Sequence, residues 1–147
     1  SERAEIIESG AEQRIKINCP PGLIIHVPKS AFLLMISNLI ENAIKYSPDG
    51  GDVKVLVGYD GQHHIKISIT DPGFGLEKTE LKKIFRMFHR GTLANTKAIK
   101  GTGIGLFIVK TVSKVLGGFV WAESEGRGTG STFHLRLPMN RLKKFKA

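Results

Sequence analysis

Cysteine is nearly absent from this chain. Cys19 stands alone, so neither a disulfide framework nor a cysteine-based metal site can be assembled. No apolar run approaches the ~20 residues that span a bilayer. Aromatic stacking platforms are scarce, with one Trp and two Tyr, and no RNP, zinc-finger or helix-turn-helix signature is present. Acidic residues are outnumbered, 13 against 22 Lys and Arg, for a formal charge of +9. The positive residues are scattered except in the tail Arg141, Lys143, Lys144 and Lys146. That pattern reads as a solvated basic surface, and no nucleic-acid partner is expected. Internal repeats and low-complexity segments are also missing. The opening Ser-Glu-Arg-Ala-Glu is no signal peptide and reads as a cut point inside a longer chain.

What remains is an ordinary globular composition, 41% hydrophobic and 24% charged over 147 residues, expected to form a single domain over 1–147. Residues 1–13 are polar, with a helix as the candidate element. Arg14 to Asn18 alternates and reads as a strand, Pro20-Pro21-Gly22 as a turn, and Leu23 to Val27 as a second short strand. Pro28 suits a helix entry with Ser30 as cap, and the helix runs to about Tyr46, where Pro48, Gly50 and Gly51 stop it. Val53, Val55 and Val57, a turn at Asp60-Gly61, then Ile65, Ile67 and Ile69 give a hairpin. A short helix is expected from Lys78 to Phe85, and a mobile loop from His89 to Thr102. A further helix from Ile104 to Leu116 carries apolar Ile104, Ile108, Val112 and Val115, closed by Gly117-Gly118. Phe119 to Ser124 and Ser131 to Leu137 form a last hairpin. This order predicts an α+β sandwich with helices on one face of a mostly antiparallel sheet.

Three stretches carry chemistry. In the helix through Ser37–Ser47, Asn38, Asn42 and Lys45 share one face, while Ile36, Ile40, Ala43 and Ile44 lie largely on another. Taken alone, this reads as an amphipathic helix with a polar outer face. Amide oxygens at 38 and 42 suit Mg²⁺ when phosphates and water supply the other ligands. Glu41 is either a general base for water or an exposed helix carboxylate. Asp71-Pro-Gly-Phe-Gly follows a strand. Its carboxylate can accept from an exocyclic amine while the glycines admit a flat ring, and a plain turn is the equal alternative. Gly101-Thr-Gly-Ile-Gly-Leu opens a helix, where free N–H groups form an anion site. The dinucleotide fingerprint is excluded because position 106 is Leu106, and the P-loop because the chain has no Gly-Lys pair. Nucleotide phosphate is itself an anion, so the positive charge is neutral between these readings.

Taken together, Asn38-Leu-Ile-Glu-Asn42-Ala-Ile-Lys45-Tyr46-Ser47 resembles the N box of sensor histidine kinases. Asp71-Pro-Gly-Phe-Gly resembles their first glycine box, Phe85-Arg-Met-Phe88-His-Arg90-Gly their F box, and Gly101-Thr-Gly-Ile-Gly-Leu their second glycine box. The four occur in order over about residues 14–138. The wider group is the GHKL ATPases, which also includes gyrase, mismatch-repair and heat-shock chaperone ATPases, and the resemblance implies their two-layer α/β sandwich. It implies Mg²⁺ at Asn42 with Asn38 in support, Lys45 on phosphate, and Tyr46 beside adenine. Asp71 would bind the adenine amine in a pocket shaped by Gly73 and Gly75. Gly101, Thr102, Gly103, Gly105 and Leu106 would line the triphosphate. Arg90 would reach the γ-phosphate, and Phe85 and Phe88 would anchor a lid over 89–102. Thr129 and Ser131 match a Gly-x-Gly-Ser/Thr pattern with a structural role.

The match has departures. Arg86 stands where the family often has an acidic residue, and none of His26, His63, His64, His89 or His134 lies in the family's phosphoacceptor pattern. The resemblance therefore implies an isolated catalytic domain binding ATP and Mg²⁺, with Glu41, Lys45 and Arg90 as catalytic candidates. Its partners would be a dimerisation and histidine-phosphotransfer domain of the same full-length protein and a response regulator. The expected location is cytoplasmic, with any membrane segment upstream. A hydrolytic GHKL ATPase, an anti-sigma-type serine kinase and a nucleotide-sensing module without catalysis are the alternative functions.

Overall fold

The computed structural model describes residues 14–87 and 103–139. In chain order these form β1 (Ile15–Asn18), α1 (Lys29–Lys45), β2 (Val53–Asp60), β3 (His64–Asp71), α2 (Lys78–Leu81), α3 (Gly105–Val115), β4 (Phe119–Glu123) and β5 (Ser131–Pro138). The helix expected within residues 1–13 lies outside the described residues. The sheet order is β1-β2-β3-β5-β4. β1 runs parallel to β2, and the remaining neighbours are antiparallel. This is the expected α+β arrangement of a mixed, mostly antiparallel sheet. No helix among the described residues is long and apolar enough to cross a membrane.

Strand alternation decides the two faces. Val53 and Val55, Ile65, Ile67 and Ile69, and Phe133, Leu135 and Leu137 are buried against the helices. Their neighbours in sequence point the other way. On that second face Trp121 stacks on His134 with ring centroids 4.9 Å apart. Glu123 accepts from His134 Nε2 at 2.6 Å, which leaves Nδ1 beside Ser68 Oγ at 2.7 Å. A buried imidazole on the face away from the core is thereby fully satisfied.

α1 supplies the largest helical share of the core through Met35, Ile36, Leu39, Ile40 and Ala43. Pro28 is its N-cap and receives the Phe32 N–H at 3.0 Å. The expected side-chain cap at Ser30 is not used; Ser30 lies inside the first turn. At the other end Tyr46 caps the helix and Pro48 cannot extend it.

Three expectations require correction. Leu23–Val27 forms no strand. Its alternation is real, because Leu23, Ile25 and Val27 pack on the core while Ile24 is exposed, yet no strand among the described residues pairs with it. The helix expected over Lys78–Phe85 ends at Leu81. A reciprocal Glu77–Glu80 capping box fixes its first turn. Beyond it the chain continues as turns, mixing one α-type bond, Ile84 N–H to Glu80 O, with the shorter-range Lys83 N–H to Glu80 O and Arg86 N–H to Lys83 O. α3 lies where expected, but its inward stripe is Val109, Ser113 and Leu116, and Val115 is 70% exposed. Ser113 donates to the Lys110 carbonyl at 3.0 Å, so its hydroxyl is satisfied by its own helix and can face inward. Gly118 N–H to Ser113 O and Gly117 N–H to Lys114 O then close the helix as a Schellman motif.

Candidate functional site

β3 ends at Asp71, which pairs with Ser131 at the start of β5. Asp71 is 2% exposed. Its Oδ1 accepts the Gly73 N–H at 2.9 Å, and Oδ2 accepts the Ser131 hydroxyl at 2.8 Å; the Ser47 hydroxyl, which donates to the Ala43 carbonyl at 2.9 Å, shares its proton with Oδ1 at 3.5 Å. The Ser131 backbone N–H also faces the carboxylate, so protein donors fix both of its oxygens in place. Burial pushes the Asp71 pKa above its usual value, while the bonds from Ser131, Gly73 and Ser47 pull it back.

The loop after Asp71 is clasped on both sides. Phe74 N–H donates to the Tyr46 carbonyl at 3.0 Å, and Gly128 N–H to the Phe74 carbonyl at 2.7 Å. A Cβ on Gly73 would stand 1.8 Å from the Tyr46 carbonyl oxygen, and one on Gly75 2.0 Å from that of Gly126. These glycines are required by the approach of neighbouring backbone, where the sequence had pointed to a flat ring. Ser124 Oγ completes the clasp, accepting from Leu76 N–H at 2.9 Å and donating to Gly130 O at 2.7 Å.

The polar face of α1 meets the start of α3. Asn38 donates its amide to Leu34 O at 2.8 Å, and its Oδ1 lies 2.8 Å from where a Gly105 Cβ would stand. Glycine at 105 thus lets the α3 N-terminus close on Asn38. The first N–H groups of α3 have no acceptor within the helix and form its positive end. One turn beyond Asn38, the Asn42 amide nitrogen is buried with no hydrogen-bond partner among the described residues. A buried orphan donor carries a desolvation penalty of about 1–3 kcal/mol unless a ligand satisfies it.

These parts are joined through the end of α1. Tyr46 N–H donates to Asn42 O at 3.0 Å, and the next residue, Ser47, reaches Asp71. The structure thus brings Asn38 against Gly105, with Asn42 one turn further along α1, and links Tyr46, Ser47, Asp71 and Gly73 through backbone and side-chain contacts. Tyr46 is buried in the core, Leu106 packs against the core, and Gly103 has φ 77°. Glu41 and Lys45 lie on α1 and are both exposed. Arg90, Gly101, Thr102, Phe88 and the lid over 89–102 lie outside the described residues. Phe85 packs edge-on to Phe133, with centroids 5.9 Å apart. The roles of Ser47 and Ser124 were missed, since an isolated serine gives no sequence signal; Ser131 donates to the Asp71 carboxylate.

The residues present fit a magnesium nucleotide. The unpaired Asn42 amide N–H suits a phosphate oxygen while its amide oxygen is the atom that would face a cation, Asp71 presents a fixed carboxylate, and the α3 N-terminus suits an anion. No group of three or more His, Cys, Asp or Glu able to hold a metal occurs among the described residues.

A family model described as histidine kinase-, DNA gyrase B-, and HSP90-like ATPase matches residues 29–141. The chain belongs to this ATPase family, as the ATPase domain of a histidine kinase. Sensor histidine kinase WalK of Bacillus subtilis (strain 168) is 37% identical over 133 residues, covering 87% of this chain and 22% of WalK. Sensor-like histidine kinase SenX3 of Mycolicibacterium smegmatis is 35% identical over 138 residues, covering 92% of this chain and 35% of SenX3. The solved structure of mycobacterial sensor histidine kinase MprB has a TM-score of 0.73 at 26% identity, covering 92% of this chain and 90% of that one. Full-length ShkA in complex with AMPPNP gives a TM-score of 0.75 at 25% identity, over 93% of this chain and 28% of ShkA. The chain thus spans 22% and 35% of the length of the two curated relatives.

Proposed function

We propose that this domain binds Mg-ATP and transfers the γ-phosphate to a histidine on a separate dimerisation and phosphoacceptor domain of the same full-length protein. The observation that carries the reading is the buried Asp71 carboxylate, held in a fixed orientation at the end of β3 by Ser47, Gly73 and Ser131. Asp71 accepts from the adenine amine and so sets the base. Asn42, supported by Asn38, takes the Mg²⁺ and phosphate end. Gly103, Gly105 and Leu106 present the α3 N-terminus to the triphosphate, together with Gly101 and Thr102. The metal supplies charge neutralisation on the phosphates. Lys45 and Arg90 add positive charge there, so the chain contributes chiefly positioning and electrostatic stabilisation. Glu41 assists the acceptor histidine.

ShkA, which shares this fold, was solved in complex with AMPPNP, and that supports a nucleotide here. Since the relatives extend well beyond the matched region, the acceptor domain and a downstream response regulator belong to the same proposal, as does a cytoplasmic location. The test is phosphotransfer from γ-labelled ATP to the purified phosphoacceptor domain of the full-length protein. Acid-labile, base-stable label on that domain supports the reading. Label that is acid-stable, or steady ATP hydrolysis with no labelled acceptor, would move the function to a serine kinase or a hydrolytic ATPase.

A further inference from the structure

The loop between α1 and β2, Ser47-Pro48-Asp49-Gly50-Gly51, ends in two glycines whose backbone is not fixed by side chains. Pro48 has no N–H, and Gly50 and Gly51 adopt φ of 94° and 92°. It nevertheless lies against the Asp71-Pro72 turn. The Ser47 hydroxyl, bonded to Ala43 O at 2.9 Å, stands 3.5 Å from Asp71 Oδ1, and a Cβ on Gly51 would stand 2.7 Å from Pro72 Cγ, so both ends of the loop touch the Asp71-Pro72 turn.

What fixes the loop comes from the residue before β1. Arg14 Nε–H donates to the Gly51 carbonyl at 2.9 Å, and its Nη2–H donates to the Ser47 carbonyl at 2.9 Å. One guanidinium thus grips both ends of the turn, more than thirty residues away in sequence. The guanidinium stays charged at any pH a protein tolerates, and its planar fork matches two carbonyls at once. Ser47 O is also the acceptor for Gly50 N–H at 3.1 Å, so the same oxygen ties the turn internally and externally.

We propose that Arg14 is a positioning residue for base recognition: by pinning Ser47 and Gly51 it holds the Ser47 hydroxyl and Pro72 in register with Asp71. The proposal rests on the reading of Asp71 as the acceptor for the adenine amine. Arg14 acts through the loop and makes no contact with nucleotide.

The experiment is equilibrium binding of ATP and of GTP, each with Mg²⁺, to wild type, Arg14→Ala, Arg14→Lys and Asp71→Asn. Guanine carries a carbonyl where adenine carries its amine, so the ATP-to-GTP affinity ratio reports the Asp71 contact. Thermal unfolding without nucleotide fixes the folded fraction of each variant. Wild type should prefer ATP and Asp71→Asn should lose that preference. Arg14→Ala should lower the ratio by about tenfold with little change for GTP, and Arg14→Lys should recover part of it through one carbonyl. Equal weakening of both nucleotides, or an unchanged ratio in Arg14→Ala beside a lost one in Asp71→Asn, overturns the Arg14 assignment alone. No base preference in wild type overturns the Asp71 reading and the proposal with it.

Discussion

Replacing Asp71 by asparagine separates binding from folding at a single buried atom. In the folded chain Oδ1 accepts from Gly73 N–H and Ser47, and an amide oxygen can take over both bonds. The new Nδ2 then faces Ser131 Oγ, now 2.8 Å from Oδ2, and that hydroxyl can turn to accept. The protein contacts survive while a buried charge disappears. The sign follows from the raised Asp71 pKa, whose largest cause is burial. In the window between the ordinary value and the raised one, the native state holds the proton more firmly than the unfolded chain. Stability therefore falls as pH rises through that window and stays lowered above it. At neutral pH Asp71→Asn should unfold in urea at the same concentration as wild type or a higher one. Nucleotide binding responds in the opposite direction. A hydrogen bond to a charged acceptor contributes about 1.5–3 kcal/mol, and here it is replaced by a donor facing a donor. Since 1.4 kcal/mol is tenfold, calorimetric ATP affinity should drop roughly ten- to a hundredfold or more. In wild type, ATP affinity should also decline as pH falls into the raised Asp71 range, and Asp71→Asn should lack that decline. Unchanged ATP affinity in a folded Asp71→Asn variant would show that this carboxylate does not hold the base.

Three further outcomes follow from the geometry. Asn42→Ala removes an orphaned buried amide, so its urea midpoint should not fall by more than the loss of a few packing atoms, while Mg²⁺-dependent ATP binding should be abolished in the same titration. Gly73→Ala places a methyl 1.8 Å from the Tyr46 carbonyl oxygen, and displacing that backbone should destabilise by about 1–3 kcal/mol in chemical denaturation. Val109→Ala should lower stability by roughly 1–3 kcal/mol, whereas Val115→Ala, on a side chain 70% exposed, should stay within about 0.5 kcal/mol. Equal losses in the Val109 and Val115 variants would contradict the orientation of α3.

Features set by local pattern were the legible ones. The alternating Val53–Val57 and Ile65–Ile69 runs read directly as a two-faced hairpin, and Pro28 and Pro48 bracket α1 through backbone chemistry alone. The polar row Asn38, Asn42 and Lys45 was visible because helical spacing puts it on one face. α3 misled because Ser113 reads as polar and is nonetheless buried, its hydroxyl bonded to Lys110 O. The periodic reading consequently rotated the helix by one position. Leu23–Val27 alternates as a strand does, but alternation records packing and cannot say whether a partner strand is present. Asp71 was found through its loop, yet what holds its carboxylate came from Ser47 and Ser131, and what holds Ser47 came from Arg14. Contacts between residues so distant in sequence leave no spacing to read. The glycines at 73 and 75 were legible as necessary, and the reason proved to be neighbouring carbonyls.

The most direct measurement is heat unfolding of the wild-type domain with and without Mg-ATP. A ligand at a hundredfold excess over its dissociation constant adds about 2.7 kcal/mol of stability. The wild-type transition should shift upward, and the shift should be sharply reduced in both Asp71→Asn and Asn42→Ala. A wild-type transition that does not move at saturating Mg-ATP would mean that the region of Asp71 and Asn42 is not a nucleotide site.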